Sequence, residues 1–106
     1  MPYNLDTHRG WSIVNPQADD LQHAVAAMDE DPGEGFVILA QTGMTYMQSA
    51  GDSATGFQLE YQEGSLARHF RARESLSAQA VKAALLDYLA GNSRWQSLYT
   101  WEKVVL

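Results

Sequence analysis

The sequence predicts an α+β domain of two layers, an antiparallel sheet of four to six strands with two amphipathic helices packed on one face. Three observations carry this. Phe57, Leu59 and Tyr61 alternate with Gln58, Glu60 and Gln62 between Gly56 and Gly64, the period of a strand with one face in a core and one in water. Two other segments carry apolar residues at helical spacing, Leu21, Ala24, Val25 and Met28, then Val81, Ala84, Leu85, Tyr88 and Leu89. Short, glycine-marked connections join the strand-like runs, which makes antiparallel hairpins the default pairing.

Taken in order, residues 1–10 are polar and expected to be loosely ordered. Trp11 to Val14 reads as a short strand. Asn15-Pro16 reads as a helix start, because Asn is a good N-cap and Pro at the first helical position gives up only an orphan N–H. Asp19 and Asp20 then suit the positive end of the helix. Asp29 to Gly35 breaks the helix into an acidic loop. Phe36 to Ala40 is an unbroken apolar run, expected as a central or doubly covered strand. Thr42-Gly43 turns the chain into a strand over Met44 to Ala50, and Gly51 to Gly56 is a loop. After the alternating strand, Leu66 to Arg73 reads as an exposed edge strand, its arginines at 68, 71 and 73 discouraging further pairing. Ser77 is the expected N-cap of the second helix and Gly91-Asn92 its stop. Tyr99 to Val105 closes the chain as a strand with Tyr99, Trp101, Lys103 and Val105 on one face. No repeat or domain boundary interrupts the 106 residues, so the chain reads as a single domain over 1–106.

Composition bounds the chemistry. No cysteine means no disulfide, thiolate metal site or thiol nucleophile. The opening Met1 to Asp6 lacks a basic region and an apolar run, so no signal peptide is expected, and Phe36 to Ala40 is far too short to span a bilayer. These features point to a soluble cytoplasmic protein. His8, His23 and His69 do not stand at metal-ligand spacing from one another, and His69, flanked by Arg68 and Arg71, is expected on the surface. Glu60 and Glu63 fall on opposite faces of a strand and cannot pair. Gly51 to Gly56 has neither the spacing of a nucleophile elbow nor the lysine of a phosphate-binding loop. The expected catalytic, cofactor and metal residues are therefore none, and the protein is expected not to be an enzyme.

The net charge is −6, and it is unevenly spread. Up to residue 63 the chain holds ten acids against Arg9 alone; from residue 64 on it holds three acids and six bases. An acidic half repels nucleic acid and anionic lipid and steers a basic protein toward it. Tyr99 and Trp101 add large aromatic area of the kind that anchors interfaces, or that closes the core of a small domain.

The acid-flanked helix, the strand Gly56 to Gly64, the helix end Asp87-Tyr88-Leu89-Ala90-Gly91-Asn92-Ser93-Arg94-Trp95 and the final Trp101 together resemble, in layout, the small immunity proteins of bacterial polymorphic toxin systems, above all those paired with deaminase-type toxins. That resemblance spans about residues 11–101 and implies a non-enzymatic protein that binds and blocks a toxin. Under it, Asp29, Glu30, Asp31, Glu34 and Asp52 face a basic partner, with Tyr99 and Trp101 as further candidate contacts. Two alternatives stand beside it: a scaffold domain that forms a homodimer through its C-terminal edge strand, and a small ligand-binding protein or enzyme with a pocket between sheet and helices.

Overall fold

The computed structural model describes residues 3–105. Seven strands form one antiparallel sheet: β1 (Asn4–Thr7), β2 (Ser12–Val14), β3 (Phe36–Thr42), β4 (Thr45–Asp52), β5 (Gly56–Glu63), β6 (His69–Ala72) and β7 (Trp101–Lys103). Three helices accompany it: α1 (Ala18–Glu30), α2 (Ala78–Ala90) and the short α3 (Arg94–Leu98). The strand order is β2-β1-β3-β4-β5-β6-β7. From β3 to β6 the chain is a meander, with α1 crossing from β2 to β3 and α2–α3 crossing from β6 to β7. The α+β class and the antiparallel sheet agree with the sequence reading; there is one strand and one helix more than it allows.

The extra strand is β1. Part of the segment expected to be loose, Asn4–Thr7, instead lies inside the sheet, paired with β2 on one side and β3 on the other. Met1 and Pro2 of that segment lie outside the described residues. Leu5 is fully buried, opposite Leu39. The extra helix is α3, Arg94–Leu98, in a segment between the expected helix stop and the expected last strand.

The two long helices pack on each other and on one face of the sheet, α1 against β3 and β4 and α2 against β4 and β5. Along β5, Phe57, Leu59 and Tyr61 point into this layer, as their alternation predicts. Leu21, Ala24, Val25 and Met28 of α1 and Val81, Ala84, Leu85 and Tyr88 of α2 complete the core, joined by Leu5, Val37, Leu39 and Met47 from the sheet. Burying Leu85 or Leu59, both fully enclosed, contributes about 1.5–3 kcal/mol each.

The caps explain where the helices stop. Ser77 Oγ accepts from Ala80 N–H at 3.1 Å, and Gly91, in the left-handed region at φ 80°, ends α2. Asn15 does not cap α1. It takes φ 54° and its N–H donates to the Tyr3 carbonyl at 2.8 Å, so Asn15-Pro16 is a turn out of β2. The helix begins two residues later, where the Asp20 carboxylate accepts from the Gln17 N–H at 2.7 Å.

The segment expected as one edge strand is split. Leu66–Arg68 forms a 3-10 turn and only His69–Ala72 is β-paired. It is not an edge, because β7 pairs beyond it, Phe70 opposite Lys103 and Ala72 opposite Trp101. Glu102 explains how a strand so rich in arginine accepts a neighbour. Its carboxylate takes Arg71 Nη2 at 2.9 Å and Arg73 Nε at 3.2 Å.

Candidate functional site

The acidic residues converge. At one end of the sheet the C-terminus of α1, the turn that follows it, the tip of the β4–β5 hairpin and the β1–β2 loop meet. Asp29 clamps the hairpin tip to the helix: Ser53 N–H donates to Oδ1 at 2.7 Å and Ser53 Oγ–H to Oδ2 at 2.8 Å. Asp31, at the helix end, accepts from Arg9 Nε and contacts His8 Nε2, each at 2.7 Å. Arg9 Nη2 also reaches Glu30 at 3.1 Å. The Arg9 guanidinium, with His8 beside it, holds the Asp31 carboxyl down at about 2. The whole arrangement depends on Gly35, since a Cβ there would lie 2.5 Å from the Met28 Cα.

Asp52 is placed differently. It is buried, and its Oδ1 accepts from the N–H groups of Ala54 and Thr55 and from the Thr55 hydroxyl. These bonds, the Thr55 N–H foremost, keep its carboxyl below the usual range. Asp52 therefore shapes the hairpin tip rather than presenting its carboxylate outward. Glu34 is exposed. Among the described residues, Arg9 is the only Lys or Arg ion-paired with this group, so the end of the molecule holds five carboxylates and keeps a negative excess.

Tyr99 and Trp101 are not part of that end. They belong to an aromatic cluster centred on Tyr61, whose ring lies 4.8 Å from both Trp95 and Trp101 and 5.1 Å from Phe70. Trp95 is buried; Tyr99 and Trp101 are half-buried at the margin. The Trp101 indole N–H donates to the Gln96 carbonyl at 3.0 Å. Terminal aromatics here seal the side of the core where β7 is only three residues long.

The helix-free face of the sheet holds a network that sequence reasoning missed. His69 is 2% exposed, not on the surface. Its Nε2 lies 2.6 Å from Glu60 Oε1 and its Nδ1 3.0 Å from Gln62 Oε1. Both neighbours present oxygen atoms to the ring, one at each nitrogen. Tyr46 Oη–H donates to Gln62 Oε1 at 3.2 Å, Gln62 Nε2 to the Met44 carbonyl at 3.1 Å and Gln48 Nε2 to Glu60 at 3.3 Å. Gln62, expected on the wet face of β5, is consequently 1% exposed. The register that pairs Gln62 with His69 creates this buried patch, and nothing in the local pattern of either strand announces it.

Chemically, these groups satisfy one another. The network is closed through Gln62 and Glu60, with no nucleophile beside His69. Among the described residues no three His, Asp or Glu side chains converge to hold a metal ion, and no helix is long and apolar enough to cross a membrane. Compared with known protein families, curated proteins and solved structures, the chain matches none.

Proposed function

We propose that the protein is a non-enzymatic, cytoplasmic binding domain whose acidic end docks a basic protein partner, in the manner of an immunity protein that blocks a bacterial toxin. The observation that carries this reading is the convergence of Asp29, Glu30, Asp31, Glu34 and Asp52 on one end with Arg9 as their only paired Lys or Arg among the described residues. Such a field speeds encounter with a basic surface and disfavours nucleic acid and anionic lipid. Four of the five carboxylates accept hydrogen bonds (Asp29, Glu30, Asp31 and Asp52), so the surface is preorganised and loses little freedom on binding. Glu30 and Glu34 are the exposed steering charges.

The test is binding of the purified protein to the basic product of a neighbouring toxin gene. The expected association is fast and strongly salt-dependent, and Glu30→Lys with Glu34→Lys slows it about tenfold or more at low salt. No complex, or a complex indifferent to both salt and charge reversal, sinks the proposal. A second reading, self-association, is favoured by the position of β7 at the sheet's outer edge. Sedimentation that finds only monomer at high concentration removes it.

A further inference from the structure

The seam between the sheet and the α2–α3 corner contains a cleft of about 430 Å³. It lies at the opposite end of the strands from the acidic cluster, where the β3–β4 turn and the end of β5 meet the end of α2. Tyr61, Tyr88 and Trp95 line it, with Gln41, Arg68 and Asn92 around them. That volume lies within the range of small-molecule sites, roughly 300–1,000 Å³.

Tyr88 is only 7% exposed, and its hydroxyl oxygen is enclosed without a hydrogen-bond partner. Two polar groups of the cleft are engaged elsewhere. The Trp95 indole N–H donates to the Asn92 carbonyl at 3.0 Å, and the Asn92 side chain donates to Asp87 at 3.2 Å. The Gln41 amide approaches the hydroxyl but falls outside hydrogen-bond geometry. Burial pushes the phenol up to about 12, so the group is an O–H donor at any physiological pH. An unpaired buried hydroxyl is destabilising, a cost that a phenylalanine of the same shape would avoid.

The charges at this site are already matched. Arg68 pairs with Glu63 at 2.9 Å and Arg94 with Asp87 at 2.7 Å, which leaves no free charge to hold an ion. The groups left to meet a ligand are the Tyr88 hydroxyl, the Gln41 amide, the Thr45 and Ser93 hydroxyls at the wall, and aromatic edges.

We propose that this cleft binds a small, uncharged, planar molecule carrying an amide or lactam group. The ligand carbonyl accepts from Tyr88 Oη–H, its ring lies against Tyr61 and Trp95, and the Gln41 amide pairs with its remaining polar edge. Because the hydroxyl is closed to water, Gln41, itself exposed, swings aside as the ligand enters.

Nicotinamide has the required ring and amide, and 3-methylpyridine has the ring without the amide. Titration of the full chain with each, followed by amide and indole NMR shifts, tests the proposal. Nicotinamide is expected to shift the Trp95 indole N–H and the Gly91 and Asn92 amides and to saturate near about 1 mM, the range of a fragment. The methylpyridine is expected to bind about tenfold more weakly or worse, and Tyr88→Phe to weaken nicotinamide by a similar factor, the loss of one useful hydrogen bond. Gln41→Trp, at an exposed position, should fill the entrance and abolish binding without disturbing the fold. Absence of saturable shifts with nicotinamide overturns the proposal. So do shifts that map elsewhere, or equal affinity for the wild type and Tyr88→Phe.

Discussion

Tyr88→Phe is expected to make the protein more stable, an unusual direction for a change at a core position. The ring stays, and with it the edge-on contacts to Tyr3 at 6.0 Å and Trp95 at 5.8 Å between centroids. The Tyr3 hydroxyl donates to the Tyr88 backbone carbonyl, not to its side chain, so that bond survives as well. What disappears is an enclosed hydroxyl that makes no hydrogen bond. The penalty for such a group is about 1–3 kcal/mol; the lower end applies, because the nearby Gln41 amide already gives it a weakly polar surrounding. A gain of about 1 kcal/mol raises the melting temperature of a domain this size by roughly 4 °C. Urea unfolding followed by tryptophan fluorescence should show a higher midpoint at unchanged slope. The pH profile gives a second reading. The phenol ionises near 10.0 when free and at about 12 in the fold, so the folded state holds a proton that the unfolded state loses. The associated stability is complete below pH 10 and is lost as pH rises toward 12. Phenylalanine has no such proton, and its advantage over wild type should widen above pH 10. A less stable Tyr88→Phe would refute the reasoning, since it would mean that the hydroxyl does have a partner, an enclosed water or the Gln41 amide.

Two further outcomes follow from the polar clusters. Asp31 has its carboxyl held at about 2 against an ordinary 3.8. Its contribution is therefore present above pH 3.8 and lost as pH falls toward 2; Asp31→Asn should flatten the acid limb of the unfolding profile in that window, measured by circular dichroism. His69→Leu leaves Glu60 and Gln62 without their shared partner. Breaking a fully buried pair costs about 3–5 kcal/mol, but Glu60 keeps 21% of its side chain exposed, so a loss of about 2 kcal/mol is expected in urea unfolding. A loss below about 0.5 kcal/mol would show that the network is slack.

Sequence pattern revealed the parts of this fold whose cause is local. Phe57, Leu59 and Tyr61 alternate because β5 has one wet face, and Ser77 and Gly91 bound α2 through bonds to their own neighbours. β1 escaped because its reason is remote. Asn4 and Asp6 have no strand character of their own, and the segment is held by β2 and β3 on its two sides, with Leu5 as its single apolar anchor. His69 escaped for the same reason, its arginine neighbours being the local signal and Gln62 and Glu60 the distant cause.

The candidate sites divide along the same line. The acidic end was legible as composition, because five carboxylates crowd into 24 residues of sequence. Geometry added that Asp29, Asp31 and Asp52 are structural clamps and that Glu30 shares Arg9, so the exposed Glu30 and Glu34 are the charges that meet a partner. The cleft was not legible at all. Tyr88 sits in the apolar stripe of α2 and is correctly read there as core, since its ring is core. Helical periodicity assigns a whole residue to a face and cannot separate a ring that packs from a hydroxyl that lacks a partner. That separation exists only once Gln41, a strand end some 47 positions away in the chain, is brought alongside. A chain can thus follow the apolar pattern throughout and still carry its least satisfied polar group in the middle of that pattern.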